Sequence, residues 1–315
     1  MMTESVFDEA IRSYQSFRDA SGRRSESYMV NIRRFQRFCQ HEAKEDMVLT
    51  NDKINAWCSK RATESSRSCA ARVFPIISFL KYLNTHYGMS FTLPSVPKSR
   101  RSTYIPHSFN RSELLRFFEA CDNIKPRKGV ASAIHRVTIP VFFRLMYSSG
   151  LRPGEAVSLE RAGVDLSNGV VSVKSGKGYS QRFVILHDSM LGLMRIYDDY
   201  IDSMLPDRKF FFPASADGHH PSTWVTHHFS RIWKNVGHSN ATAYDLRHNY
   251  AIENINSWIG VGFGISDKLM TLSRSMGHRD VRSTMGYYSL TPSIYDSMSE
   301  IDNKTYDLLI KDPEQ

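Results

Sequence analysis

The residue types that could carry out chemistry are concentrated between Thr242 and Leu290. Arg247 stands in a Tyr-Asp-Leu-Arg-His stretch, His278 follows a glycine farther along, and Tyr287 lies in a Met-Gly-Tyr-Tyr stretch. A guanidinium offers a rigid fork of donors to phosphate oxygens, an imidazole can donate or shuttle a proton near neutral pH, and a phenol can form a covalent ester. Together these side chains are suited to attack on a phosphodiester without a metal ion.

Upstream segments supply a second arginine and a candidate general acid. Arg152 directly precedes a proline in a Gly-Leu-Arg-Pro-Gly-Glu stretch, and proline is well tolerated at the first position of a helix. Lys177 lies in a Ser-Gly-Lys-Gly-Tyr turn between two predicted strands, 169–174 and 181–186. A lysine at the tip of such a hairpin could protonate a leaving oxygen. Lys174 is a rival for the same role.

These residues, taken in order, give the chain a resemblance to the tyrosine recombinase (phage-type integrase) family. The resemblance covers roughly residues 108–290 by motif and extends more loosely to the N-terminal region by architecture. The matching positions are Arg152, Lys177, Tyr244-x-x-Arg247, Gly277-His278 and Tyr287.

The resemblance implies a role for each matching residue in site-specific DNA recombination. Tyr287 would attack phosphorus to form a 3′-phosphotyrosine intermediate and release a 5′ hydroxyl. Arg152 and Arg247 would hold the non-bridging oxygens, and Lys177 would protonate the leaving 5′ oxygen. His278 would donate to a phosphate oxygen or assist proton transfer at the tyrosine.

Two positions keep alternatives open. Tyr244 stands where relatives carry the histidine of a His-x-x-Arg motif, and a phenol can donate a hydrogen bond but cannot act as an imidazolium. We therefore predict that Tyr244 is a donor to phosphate and not a proton shuttle. Tyr288 competes with Tyr287 as nucleophile, but Tyr287 lies at the family's usual offset from the Gly-His pair.

The same resemblance implies the partners. They are double-stranded DNA with a specific recombination site, a homo-tetramer acting on two DNA sites, and accessory DNA-binding proteins. No metal, ATP or other cofactor is expected, because the phosphotyrosine ester retains the bond energy for rejoining. The biological role implied is integration, excision or transposition of a mobile element. Two other functions stay open: a type IB topoisomerase-like DNA relaxer and a non-catalytic DNA-binding regulator.

Composition and periodicity predict a mainly α protein with a small antiparallel β-sheet and two domains. Apolar residues recur at helical spacing in residues 1–97, and a basic, proline- and serine-containing stretch ends in the predicted linker 98–107. The catalytic domain is predicted over 108–290, followed by an acidic tail helix over 291–315. The resemblance identifies the first domain as a helical core-binding domain with a SAM-like fold. It also suggests that the tail docks on a neighbouring protomer, with packing on its own domain as the alternative.

Charge agrees with a polyanionic partner. The formal net charge is +9, and both predicted domains are basic. The faces opposite the apolar stripes of the N-terminal helices are either phosphate contacts or simply solvated. Their basic residues are Arg23, Arg24, Arg33, Arg34, Arg37, Lys60, Arg61, Arg67 and Arg72.

The remaining signals bear on compartment and metal binding. Four cysteines without paired spacing, no signal peptide and no long apolar run predict a cytoplasmic protein, associated with the nucleoid when bound to DNA. The histidine pairs His219-His220 and His227-His228 lack an accompanying metal-site pattern. We interpret them as solvated or DNA-facing.

Overall fold

The chain divides into two compact units, Met1–Tyr104 and Ile105–Gln315. The division falls inside the segment that composition predicts as a linker. The computed structural model describes residues 4–23, 26–41, 48–96, 98, 104–125, 128–174, 181–215, 218–237, 239–258, 265–278, 280–285 and 287.

In the described part of the N-terminal unit, the regular structure is helical. Thr50 and Ser65 begin the third and fourth helices, where each hydroxyl accepts a hydrogen bond from the backbone N–H three residues ahead. Pro75 lies inside the fourth helix without splitting it. The helices are α1 (Glu4–Ala20), α2 (Glu26–His41), α3 (Asn51–Cys58) and α4 (Ser66–His86). Their apolar stripes meet in one core that includes Phe7, Ile32, Phe35, Ile54, Phe79 and Leu83.

Arg72, one of the candidate phosphate contacts, is instead a buried structural residue. Its side chain is buried and donates to both carboxylate oxygens of Glu64, at 2.9 and 2.6 Å. It also donates to the carbonyls of Trp57 and Ser59, and its guanidinium lies over the Trp57 ring. Because all three guanidinium nitrogens donate hydrogen bonds within the unit, Arg72 links α4 to the segment after α3 and is not a DNA contact.

Replacement of Arg72 by alanine should destabilise the N-terminal unit by about 1–3 kcal/mol, since the partly buried Glu64 carboxylate would lose its arginine partner and keep the N–H of Arg61, and the carbonyls of Trp57 and Ser59 would lose a donor. Urea unfolding of the full chain measures this change. Arg67→Ala is the matched control, because Arg67 is exposed on the same helix and should shift the unfolding free energy by less than about 0.5 kcal/mol. Equal effects of the two substitutions would contradict the assignment.

Among its described residues, the C-terminal unit is mainly helical with two small antiparallel sheets. β1, β2 and β3 form one sheet in that order, and β4 pairs with β5 in the other. The helices are α5 (Arg111–Asp122), α6 (Val130–Ser149), α7 (Pro153–Val157), α8 (Asp188–Asp202), α9 (Ser222–Val236), α10 (Ala243–Asn256), α11 (Ile265–Ser275) and α12 (Arg282–Met285). The strands are β1 (Val164–Asp165), β2 (Val170–Val173), β3 (Arg182–Ile185), β4 (Pro213–Ser215) and β5 (Gly218–His219).

The predicted fold class, mainly α with a small antiparallel sheet, is confirmed. The capping box at Asn110 and Glu113 opens α5 as the sequence indicates. The short sheet β4–β5 was not predicted. Helix α6 is the central element, and it packs against α5, α8 and α10 through buried residues such as Phe142 and Leu145. This arrangement leaves the ends of α6 and α10 close together, where the candidate site lies.

Two of the four paired histidines lie inside the unit, so the solvated interpretation is wrong for them. His220 and His228 are buried around Trp224, with the His220 ring stacked on the indole at 4.2 Å between centroids. Burial lowers the pKa of each imidazole to about 4, so both are neutral at physiological pH. His227, in contrast, is exposed.

Two further sequence features have structural counterparts. All four cysteines are buried free thiols. Within the part of the chain that the structure describes, none of the helices has the length and apolar character needed to cross a bilayer.

Candidate active site

Three arginines converge on the carboxyl end of α11. Each donates from its guanidinium to one of three consecutive backbone carbonyls there. The pairs are Arg182 Nε with Ser275 O, Arg247 Nη2 with Met276 O and Arg152 Nη2 with Gly277 O, each at 2.7 Å. Carbonyls at a helix C-terminus lack intrahelical donors and carry partial negative charge, so cations are favoured at this point.

Glu155 is the carboxylate that two of these arginines share. Arg182 binds it through both oxygens, at 2.9 and 2.7 Å, and Arg152 donates to it from Nη1 and from its backbone N–H, at 2.7 and 2.8 Å. Burial acts to raise the pKa of Glu155, but the bonds from Arg182 and Arg152 outweigh it and hold this pKa at about 2. The ionised carboxylate therefore fixes Arg152 at the start of α7 while part of that guanidinium remains exposed.

Arg247 is fully buried on α10. It donates to the carbonyl of Gly150 and to that of Met276, and neither of these acceptors carries a formal charge. Gly150 has a φ of 63°, and a Cβ there would stand 2.4 Å from the Tyr250 ring. Only glycine therefore lets the end of α6 approach α10 closely enough for its carbonyl to receive Arg247.

His278 lies next to Arg247 and is held at both ring nitrogens. Its Nε2 is 3.0 Å from Arg247 Nη2, and its Nδ1 is 2.7 Å from the hydroxyl of the buried Thr284. A guanidinium can only donate, so Nε2 accepts and the ring proton belongs on Nδ1. Burial and the neighbouring arginines lower the pKa of His278 to about 4, which agrees with a neutral ring.

Tyr287 closes the group from the side of α12. Its ring is buried, is nearly parallel to the His278 ring at 6.3 Å, and packs in a small core with Met276, which follows α11. Its hydroxyl lies 2.9 Å from Nδ1 of His248 on α10. Burial raises the pKa of the Tyr287 phenol to about 12.

The other predicted site residues are placed as follows. Tyr244 is partly exposed on the first turn of α10, with its ring edge against His248. Lys174, the rival general acid, is exposed and forms an ion pair with Glu160. Lys177 and Tyr288 lie outside the described residues. The fold therefore brings Arg152, Tyr244, Arg247, His278 and Tyr287 into one neighbourhood.

Sequence reasoning missed Arg182, Glu155 and His248. Strand alternation could have indicated Arg182, because it shares the inward face of β3 with the buried Val184 and a charge on that face needs a partner. The capping-box position of Glu155, three residues after Arg152, was a second signal. His248 carried a helical signal, since it lies four residues after Tyr244 on the same face of α10.

The sequence profile of the phage integrase family matches residues 108–293, which is more than half of the chain. The chain belongs to the phage integrase family. The matched segment contains every residue of the group around the end of α11.

Similarity to known recombinases extends beyond the catalytic unit. The putative integrase/recombinase y4rE of Sinorhizobium fredii is 26% identical over 296 residues, covering 91% of this chain and 92% of that relative. The tyrosine recombinase XerA of Saccharolobus solfataricus is 24% identical over 277 residues, covering 84% of this chain and 81% of the relative. This family member is therefore a tyrosine recombinase, an enzyme of site-specific DNA strand breakage and rejoining.

A solved structure supports the fold assignment. A lambda integrase tetramer bound to a Holliday junction superposes with a TM-score of 0.60 at 14% identity, covering 90% of this chain and 77% of that one. Among the residues described for the present recombinase, no group of three or more His, Cys, Asp and Glu side chains is arranged to hold a metal ion.

Gly277→Ala should disrupt the site. Gly277 has a φ of 64°, and a Cβ there would stand 2.8 Å from Arg182 Nη1 and 3.0 Å from its Cζ. We expect a loss of about 1–3 kcal/mol in unfolding free energy together with loss of DNA cleavage. Gly192→Ala is the control, because Gly192 lies in α8 with nothing within 4 Å of an added Cβ and should be neutral or slightly stabilised. Thermal unfolding of both variants decides the matter, and a Gly277→Ala protein as stable as the control would contradict it.

Proposed function

We propose that Tyr287 is the nucleophile of this recombinase and that the surrounding residues divide the work of phosphoryl transfer. Arg152 and Arg247 hold the non-bridging oxygens, Tyr244 and His278 donate to the phosphate, and Lys177 at the predicted hairpin tip protonates the 5′ oxygen. The observation that supports this assignment best is the contact chain that joins Arg152, Gly277, His278, Arg247 and Tyr287 in one unit.

The state of Arg247 favours an anionic ligand. Among the described residues its Nε finds no hydrogen-bond acceptor, although the atom is buried. An unpaired buried donor is costly, and a phosphate oxygen that reaches it would remove that cost. His278 Nε2 already accepts from Arg247, so an entering phosphate would compete for that guanidinium and free the imidazole to change partners. In a site of this kind the donors are preorganised for charge that develops in the transition state.

The wider assembly is also proposed. By analogy with the lambda integrase tetramer on a Holliday junction, four copies would act on two duplexes and exchange strands in two steps. In each step a 5′ hydroxyl of another strand attacks the phosphotyrosine, so rejoining needs no ATP. Integration or excision of a mobile element, with accessory DNA-binding proteins, is the biological role that we propose. The acidic tail 291–315, which lies outside the described residues, is proposed to dock on a neighbouring protomer.

The N-terminal unit offers a face for the duplex backbone. Arg34, Arg37 and His41 lie along one exposed stripe of α2 and, with Phe38 and Trp57, line an open cavity of about 440 Å³. The guanidinium of Arg61 adds a further cation, 5.1 Å from the Trp57 ring centroid. A row of basic side chains beside aromatic rings is suited to phosphate and sugar contacts, which carry little sequence information.

The nucleophile is tested by covalent capture. The protein is incubated with EDTA on nicked suicide substrates chosen from a random-sequence library by binding, and adducts are separated on a denaturing gel. Wild type and Tyr288→Phe should form a protein–DNA adduct, whereas Tyr287→Phe should form none because the attacking oxygen is gone. An adduct that survives in Tyr287→Phe and disappears in Tyr288→Phe would reverse the assignment. Binding without any adduct would favour the regulator instead.

The duplex face is tested by salt dependence. Each phosphate contact contributes about 0.9 to the slope of log K against log salt, so the double variant Arg34→Gln/Arg37→Gln should flatten that slope by about 2. Equilibrium binding at a series of salt concentrations gives the slope. Arg12→Gln, an exposed arginine of α1 outside this stripe, serves as control and should leave the slope unchanged. A double variant with the wild-type slope would remove this face from the interface.

A further inference from the structure

The hydroxyl of Tyr287 has an imidazole as its neighbour. His248 Nδ1 lies 2.9 Å from that oxygen, and the two rings are 5.3 Å apart between centroids. His248 is carried by α10 one helical turn beyond Tyr244, whose ring packs against it at 4.9 Å. Helix α10 therefore presents Arg247 and, from the next position, an imidazole that reaches the attacking oxygen.

The direction of this hydrogen bond follows from the environment of both groups. Burial raises the pKa of Tyr287 to about 12, so the phenol keeps its proton and donates it. Burial, together with the nearby Arg247, lowers the pKa of His248 even though Asp245 acts in the opposite direction. The imidazole is therefore neutral at physiological pH, and Nδ1 presents its lone pair to the phenol.

We propose that His248 is a catalytic residue that accepts the phenolic proton of Tyr287 while the tyrosine oxygen attacks phosphorus. This inference rests on the proposed function and deepens it, since it assigns the general base for the nucleophile. Two neighbours are less suited to that task. The phenol of Tyr244 is a hydrogen-bond donor and a poor proton acceptor, and His278 is proposed above to donate to the phosphate, so it is not available to accept the phenolic proton.

The step balances within the site. The O–H bond of Tyr287 breaks as its proton moves to His248 Nδ1, and the tyrosine oxygen forms a bond to phosphorus. The bond from phosphorus to the 5′ oxygen breaks, and that oxygen takes a proton from the general acid proposed above. In the return step the 5′ hydroxyl gives its proton to the conjugate base of the general acid as its oxygen bonds to phosphorus. The bond from phosphorus to the tyrosine oxygen breaks, and the imidazolium of His248 gives its proton back to that oxygen.

Removal of this base has a defined kinetic signature. His248→Gln keeps an acceptor that can orient the phenol but cannot take up a proton, so single-turnover cleavage at neutral pH should fall by about 10²–10⁴-fold. DNA affinity should stay within about threefold of wild type. In wild type the cleavage rate should rise with pH through a pKa below the ordinary histidine value and then level off. In His248→Gln the cleavage rate should not level off in this pH range.

The charged and titratable groups around His248 are accounted for in this profile. They are Tyr244, Asp245 and Arg247 on its own helix, and His278 and Tyr287 from the segments after α11. Burial lowers the pKa of His278 to about 4 and raises the pKa of Tyr287 to about 12, so neither should produce a break close to neutrality.

The experiment compares wild type, His248→Gln and His248→Ala with His227→Gln, an exposed histidine of α9 that should cleave at the wild-type rate. Added imidazole should partly restore cleavage by His248→Ala. A substrate with sulfur at the 5′ bridging position, which leaves without protonation, should not restore His248→Gln. The inference is overturned if His248→Gln cleaves within about threefold of wild type, or if the sulfur substrate restores it.

Failure of the inference can be separated from failure of the proposed function. If His248 is not the base, wild type still forms the adduct and Tyr287→Phe still abolishes it. If the proposed function is wrong, wild type itself forms no adduct that depends on Tyr287.

Discussion

The catalytic unit depends on one interaction, the capping of the carboxyl end of α11 by three guanidinium groups. A helix end leaves its last carbonyls without partners and concentrates partial negative charge there. Arg152, Arg182 and Arg247 come from three separate elements, α7, β3 and α10, and each takes one of those carbonyls. The same contacts that complete the helix end also bring the two proposed phosphate-binding arginines to one point. Gly277 is required there because a side chain would occupy the position of Arg182.

Charge balance explains why two of the arginines share a carboxylate and the third does not. Arg152 and Arg182 meet Glu155, so one negative charge is divided between two cations and a positive excess remains on the exposed side. Arg247 is deeper, and among the described residues it donates to carbonyl dipoles and the imidazole of His278. None of its described partners is a carboxylate, so a phosphate anion is a partner that would compensate its charge. Arg182 supports Arg152 indirectly, since it holds the carboxylate against which Arg152 is oriented.

Helix α10 is the rigid element that sets the angular relation between phosphate and nucleophile. Its start is fixed by the reciprocal capping of Thr242 and Asp245, and its far side is tied to the start of the unit because Asn249 accepts the backbone N–H of Phe109. With its orientation fixed in this way, the helix presents Arg247 and His248 from adjacent positions. A loop could carry the same residues, but it would not hold them within the few tenths of an ångström that proton transfer and phosphate binding require.

The sequence by itself determined the helical character of both units, the β2–β3 hairpin strands and most helix starts, because periodicity and capping are local properties of the chain. It also determined the candidate residues Arg152, Arg247, His278 and Tyr287, because their types and order carry a chemical meaning independent of packing. It did not distinguish Arg72 from its exposed neighbours on the N-terminal helices, since burial of a charge is decided by a partner, here Glu64, that lies on another segment. Tertiary structure alone decided that Glu155 joins two arginines, that Arg182 and Arg247 end on neighbouring carbonyls, and that His248 meets the hydroxyl of Tyr287. Apart from Arg152 with Glu155, those pairings join residues far apart in the chain, and their physical basis is the convergence of α7, β3, α10 and α12 on the end of one helix.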